Sequence, residues 1–286
     1  MDNILAEILR RRNPASGADA ERKAREVLQE TILYALGKTS FFEKAAFYGG
    51  SAGRIFYGLP RYSEDLDFTL LKEDAAFTWE DYFPTIQKVL TSFGLKPGPL
   101  QKEKIGAADT RSAFLKENRI ETMGLLFPMG IALPSYGKEQ LIKIKFEVDT
   151  NLPSDFSATY LSRMEPSYFD ARVLDEPSLF AGKIGAVLTR AWKNRVKGRD
   201  LFDYLFYLSR GVKINLPFLE AQLRKAKFDF SAPLTLEVLK ELLKKRFLSL
   251  NYSLAIEDVS PFLEDAAPLS HWNAEYFLAT LNRLPH

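Results

Sequence analysis

The stretch Tyr48-Gly49-Gly50-Ser51, followed after a short gap by Arg61-Tyr62-Ser63-Glu64-Asp65-Leu66-Asp67-Phe68, decides how this chain is read. Ala45–Tyr48 reads as a short buried strand, and residues 49–51 as the turn that leaves it. Residues 52–57 read as a short helix ended by Gly58 and Pro60, and residues 66–71 as a second, acidic strand. On a strand, positions i and i+2 share a face about 7 Å apart, so Asp65 and Asp67 can serve one metal cluster. Leu66 and Phe68 then point the other way, into a core. Glycines let backbone N–H groups come close to an anion, as phosphate binding requires. An Asp-x-Asp by itself is more often a solvated strand face. The preceding Gly-Gly-Ser is what gives this pair chemical meaning.

Working outward, residues 143–149 alternate as a strand. Ile144, Phe146 and Val148 face inward, with Lys143, Lys145, Glu147 and Asp149 on the other side. This strand offers a third carboxylate, from Glu147 or Asp149. Three clustered carboxylates repel one another unless cations separate them, which two Mg²⁺ ions would do. Periodicity does not choose between Glu147 and Asp149, because they share a strand face. Residues 19–36 read as a helix closed by Gly37, with Ala24, Val27, Leu28, Ile32 and Ala35 near helical spacing. Residues 79–93 read as a second amphipathic helix stopped by Gly94. Pro97, Gly98 and Pro99 mark a turn, residues 119–127 and 130–133 read as strands or a hairpin, and 168–174 as another short strand. From Ser178 the pattern is helical almost to the end. The expected fold is therefore α+β. An N-terminal domain over residues 1–170 carries a mixed β-sheet flanked by helices, and a helical domain over residues 171–286 completes the active site.

Composition narrows the chemistry. The 286 residues are 46% hydrophobic and 13% aromatic, enough for a sizeable core. The 39 basic and 37 acidic side chains leave a net charge of +2, which excludes a strongly basic nucleic-acid-coating protein but allows a local basic groove. The absence of cysteine removes disulfides, thiolate zinc sites and iron–sulfur clusters. The only histidines are His271 and His286, which argues against a Ser-His-Asp hydrolase or an HExxH metalloprotease. No Walker-type loop occurs. Chemistry must rest on carboxylates, lysines and arginines, the groups that suit hard metals and phosphates. No apolar run reaches the roughly 18 residues of a spanning helix, and the acidic N-terminus is unlike a secretory signal, so a cytoplasmic protein is expected.

The helical half opens with Lys183-x-x-Ala186-x-x-x-Arg190, whose positions share one helix face. Lys183 can meet a triphosphate as a point charge, and Arg190 offers a planar fork for phosphate oxygens. Read alone, these are ordinary solvated cations. They continue, however, into Lys193, Arg195, Lys197 and Arg199, and then into Asp200-Leu201-Phe202-Asp203.

Together these residues resemble a known family. Gly49-Gly50-Ser51 with Arg61-x-Ser63-x-Asp65-x-Asp67-Phe68 is similar to the first motif of the AbiEii/AbiGii toxins. These are nucleotidyltransferases of the DNA polymerase β-like superfamily, with the MenT toxins of mycobacteria among their relatives. Lys143-Ile144-Lys145-Phe146-Glu147-Val148-Asp149 resembles the second motif, and the Lys-x-x-Ala-x-x-x-Arg and Arg-Asp-x-x-Asp elements the third and fourth. The resemblance runs from about residue 45 to 208. It implies transfer of a nucleoside monophosphate from an NTP, with Mg²⁺ or Mn²⁺ held by Asp65, Asp67 and Glu147. It implies that Gly49, Gly50, Ser51, Arg61, Lys183 and Arg190 hold the nucleotide, and that Asp200 is an essential acid. The family habit of one acid between hydrophobic residues favours Glu147. Asp149 stays a candidate. Arg61 could instead pair with Glu64, and Asp203 could hold Arg199 or Lys197. The implied acceptor is the 3′ end of tRNA, as in MenT relatives, with an antitoxin encoded nearby. An antibiotic-type small-molecule nucleotidyltransferase and a non-catalytic nucleotide- or RNA-binding regulator are the alternatives.

Overall fold

Ser16 begins the longest helix: its hydroxyl accepts from the Asp19 N–H at 3.2 Å, satisfying one of the first-turn donors. The computed structural model describes residues 4–74, 76–95, 101–102, 120–128, 141–151, 155–190, 196–231 and 233–285. The expected turn at 97–99, the strand at 130–133, and Lys193 and Arg195 lie outside them. The chain divides into two units. One comprises residues 1–56, 62–152 and 159–173, and the other 57–61, 153–158 and 174–286.

Among the described residues, the first unit is built on a mixed sheet of seven strands in the order β3-β4-β5-β2-β1-β7-β6. The strands are β1 (Ala45–Tyr48), β2 (Asp65–Leu70), β3 (Gln101–Lys102), β4 (Ile120–Pro128), β5 (Leu141–Asp149), β6 (Ala158–Arg163) and β7 (Phe169–Leu174). β2 lies at the centre, antiparallel to β1 and parallel to β5, so Asp67, Phe68 and Thr69 each have a neighbour on both sides. The helices are α1 (Ile4–Arg11), α2 (Gly17–Gly37), α3 (Phe41–Lys44), α4 (Gly49–Tyr57) and α5 (Phe83–Ser92). α2 packs on both α5 and β5, and its expected apolar positions, Ala24, Val27, Leu28, Ile32 and Ala35, are all buried. Leu66, Phe68, Ile144, Phe146 and Val148 are buried as their alternation predicts. An aromatic cluster fills the core. Phe41 stacks on Trp79 at 5.5 Å and meets Phe68 edge-on at 4.9 Å, and Trp79 meets Phe146 at 5.5 Å.

Several boundaries differ from the sequence reading, each for a physical reason. Residues 49–51 are not a separate turn but the first turn of α4. The expected helix at 79–93 splits into a 3₁₀ turn, Trp79–Asp81, and α5, because Pro84 suits the start of a helix and not its interior. β6 was not foreseen. Its burial pattern is mostly exposed and intermediate, so no hydrophobic alternation marks it. Nor was the buried Glu30 of α2, which accepts from Arg12 and from Arg163. Burial raises the Glu30 pKa against the pull of these two arginines.

The second unit is helical: α6 (Glu176–Thr189), α7 (Gly198–Ser209), α8 (Leu216–Lys225), α9 (Leu236–Leu248), α10 (Tyr252–Val259) and α11 (Ala274–Thr280). Asp175 caps α6 by accepting from the Ser178 N–H at 2.9 Å, with Pro177 in the first turn. α6 packs on α7 and α8, and α10 on α7. Phe180, Tyr204, Tyr207, Phe247 and Phe277 are fully buried. Tyr204 satisfies its hydroxyl with Thr280 at 2.9 Å, as a buried phenol must.

Candidate functional site

β1 ends where Gly49 takes φ +81°, a left-handed conformation that favours glycine. A side chain there would also collide with Asp67, whose Cβ lies 3.2 Å from the position a Gly49 β-carbon would take. α4 begins at this residue. The first N–H groups of a helix have no intrahelical acceptor, so the backbone of Gly49, Gly50 and Ser51 offers donors beside a carboxylate. Ser51 is fully buried, and its hydroxyl donates to the carbonyl of Asp65. The hydroxyl expected to meet phosphate thus ties the turn to the acid strand. The residues just before that strand are also fixed. Gln29, buried in α2, donates through Nε2 to the Ser63 carbonyl at 3.2 Å. The guanidiniums of Arg22 and Arg54 lie over the Tyr62 ring, 5.1 and 4.5 Å from its centre.

The sheet register then orders the acids. Asp67 has Tyr48 on one side and Glu147 on the other. Asp65 is opposite Lys145, and Asp149 is opposite Thr69, further along the sheet. Asp65, Asp67 and Glu147 are half-buried, as groups that meet a solvated ligand should be. Asp149 is buried, and its Oδ1 accepts from the Asn151 N–H at 2.8 Å, which caps the end of β5. Lys145 forms an ion pair with Glu147, so an ammonium partly offsets the local negative charge. The donor set is all oxygen and suits a hard divalent cation. Among the described residues, no three His, Cys, Asp or Glu side chains are gathered as a metal cage.

In the second unit, α6 and α7 build a buried ionic cluster. Arg61, 3% exposed, forks onto Asp203, with Nε to Oδ1 at 2.5 Å and Nη2 to Oδ2 at 2.6 Å. Lys183 lies 2.8 Å from Asp203 Oδ2 and 3.4 Å from Asp200 Oδ1. Arg190 lies 2.9 Å from Asp200 Oδ2. Burial alone would push both aspartates up. The cations win: Arg190 and Lys183 hold Asp200 below its ordinary value, and Arg61 and Lys183 do the same for Asp203. Asp203 thus binds Arg61 and Lys183, whereas Arg199 and Lys197 were the sequence candidates. Arg199 lies 3.7 Å from Asp258 and over the Phe262 ring at 4.1 Å.

Sequence reasoning missed Arg246. It reaches from α9 to the end of α6 and donates to the carbonyls of Val187, Leu188 and Arg190 at 2.6–2.7 Å. A cation over the last carbonyls of a helix completes their hydrogen bonding and opposes the helix dipole. Nothing local distinguishes Arg246 from its neighbours Lys244 and Lys245, so the sequence held no signal for it.

A family model described as nucleotidyl transferase AbiEii toxin, type IV toxin–antitoxin system, matches residues 31–280. The chain belongs to the AbiEii family. AbiEii membership brings nucleotidyl transfer, an NTP substrate and an antitoxin partner. No curated protein matches the chain. Among solved structures, MenT4, a nucleotidyltransferase toxin from Mycobacterium tuberculosis H37Rv, is 15% identical. The match covers 98% of this chain and 90% of MenT4 at a TM-score of 0.57, a likeness of fold. JHP933 from Helicobacter pylori is 18% identical over 91% of this chain and 88% of its own, at a TM-score of 0.48. Among the described residues, no helix is long and apolar enough to cross a membrane.

Proposed function

We propose that this AbiEii chain is a cytoplasmic toxin that transfers a nucleoside monophosphate from an NTP to the 3′ end of tRNA, using Mg²⁺ or Mn²⁺. The observation that carries the reading is the register of Asp67 beside Glu147, with the Gly49 turn resting on Asp67. The acceptor hydroxyl attacks the α-phosphorus and passes its proton to a carboxylate of β5, Glu147 or Asp149. A new P–O bond forms, the bond to the bridging oxygen of the β-phosphate breaks, and pyrophosphate leaves. Asp65, Asp67 and Glu147 hold the divalent ion, and Glu147 is favoured over Asp149 because it neighbours Asp67. Bound there, such ions would neutralise phosphate charge on the nucleotide. The first-turn N–H groups of Gly49, Gly50 and Ser51 donate to phosphate oxygens. Lys183 and Arg190 supply positive charge to the phosphates, and Asp200 holds both cations in place. In this reading the helical domain, residues 171–286, completes the active site. Support for RNA as acceptor comes from the cationic run from Arg190 to Arg199, whose contribution should weaken with salt.

Incubating the purified chain with Mg²⁺, each labelled NTP in turn and total tRNA tests this. The expected result is label on tRNA, lost on chelation of the metal and in Asp67→Ala. Label on a small molecule only, or transfer that survives Asp67→Ala, overturns the reading. Expression should arrest growth, and Asp67→Ala should relieve the arrest.

A further inference from the structure

Arg61 was expected to meet the nucleotide, yet its guanidinium is buried and both its Nε and Nη2 are committed to Asp203. Asp203 Oδ2 is shared: Arg61 Nη2 lies 2.6 Å from it and Lys183 Nζ 2.8 Å. The segment that carries Arg61 is held at its other end, where the Tyr57 hydroxyl donates to the Leu174 carbonyl at 2.8 Å. Among the described residues, the cluster's ion pairs join three cations, Arg61, Lys183 and Arg190, to two carboxylates, Asp200 and Asp203, one positive charge more than the carboxylates. Exposure separates their roles. Arg61 is 3% exposed, whereas the side chains of Lys183 and Arg190 are 15% and 40% exposed and can meet a ligand.

We infer that Arg61 is a positioning residue for Lys183, acting through Asp203, and sets where the ammonium meets the phosphates of the nucleotide. This rests on the nucleotidyl-transfer reading above. With Arg61 in place, Asp203 is largely satisfied by the fork, and Lys183 is held between Asp203 and Asp200 with charge to spare for a polyphosphate. Without Arg61, the two aspartates balance Lys183 and Arg190 outright. Both oxygens of Asp203 then compete for the Lys183 ammonium, which is drawn away from any ligand. The site loses its excess charge and its geometry together.

The test compares Arg61→Met, Arg61→Lys and the double variant Arg61→Met/Asp203→Leu, reading melting temperature and the NTP dependence of transfer to tRNA. A buried ion pair replaced by apolar side chains of similar volume is often neutral for stability, while removal of one partner is strongly destabilising. Arg61→Met should melt well below wild type, and the double variant should recover most of that loss. KM for NTP should stay raised about ten- to hundredfold in the double variant despite the recovered fold, because Lys183, over-held by Asp203 in Arg61→Met, is then left to Asp200 alone and is again misplaced. Arg61→Lys, which cannot fork, should give an intermediate KM. A double variant with recovered melting and wild-type KM overturns the inference, since the pair would then serve folding alone. If Arg61→Met does not fold, the double variant and Arg61→Lys decide in the same way. A wild-type chain that transfers no nucleotide overturns the functional reading instead.

Discussion

Asp67 occupies the space where a side chain at Gly49 would begin: a β-carbon there would overlap the carboxylate Oδ2 and stand 3.2 Å from the Asp67 Cβ. Gly49 also holds φ +81°. Gly49→Ala therefore carries two penalties: a left-handed conformation costing about 1–2 kcal/mol, and displacement of Asp67. Gly58 is a matched control, because its φ is +75° but nothing lies within 4 Å of its missing β-carbon. Both alanine variants should melt a few degrees lower, at roughly 2–4 °C per kcal/mol. Only Gly49→Ala should lose nucleotidyl transfer. Equal activity in the two would remove the Gly49–Asp67 contact from the account of the site.

The register distinguishes the two acids of β5. Glu147 neighbours Asp67, while Asp149 lies beside Thr69 and caps the strand end through Asn151. Asp67→Asn and Glu147→Gln should each reduce transfer at least about 100-fold and raise the metal concentration needed for activity. Asp149→Asn should keep most of the activity and mainly lower the melting temperature. A metal titration of the three variants checks this. An Asp149 variant as inactive as Glu147→Gln would show that both acids are needed.

Much of this was legible in the sequence because the signals were local. The alternation of residues 143–149 placed Ile144, Phe146 and Val148 inside, and the Asp65-x-Asp67 spacing put two acids on one face of β2. What stayed illegible depends on partners distant in sequence. Arg61 finds Asp203 142 residues away, Arg246 finds carbonyls 56–59 residues away, and Glu30 draws in Arg163 from 133 residues away. Local periodicity carries no information about such pairs. The choice between Glu147 and Asp149 was open for the same reason. They share a strand face, and only the pairing with β2 sets which of them neighbours Asp67.

The ionic cluster makes a signed prediction about pH. Asp203 is depressed below its ordinary value of 3.8, since Arg61 and Lys183 outweigh its burial. For a carboxylate depressed on folding, the stabilisation is full above the unfolded value and is lost as pH falls through the folded one. Wild type should therefore exceed Asp203→Asn in melting temperature by a constant margin from neutral pH down to about pH 4. The margin should narrow below that point as Asp203 takes up its proton. Thermal melts of both proteins from pH 7 to pH 2.5 would show it. A margin that widens toward acid would mean that Asp203 is not held ionised by its cations.

Arg246 offers a test of how α6 is held. Three donated bonds, to Val187, Leu188 and Arg190, close carbonyls that the helix end leaves without internal partners. Arg246→Ala removes them all and should cost about 1.5–3 kcal/mol, the range of a hydrogen bond to a charged group. Arg246→Lys keeps a cation at the helix end but cannot fork across three carbonyls, so it should recover only part of the loss. Because α6 carries Lys183 and is capped at its C-terminus by Arg190, the effect should reach function as well. Hydrogen exchange at the C-terminal turn of α6 should quicken in both variants, more in Arg246→Ala. KM for NTP should rise in the same order, with kcat changing less. Unchanged exchange in Arg246→Ala would show that the last turn of α6 holds without the clamp and would remove Arg246 from the support of Lys183 and Arg190.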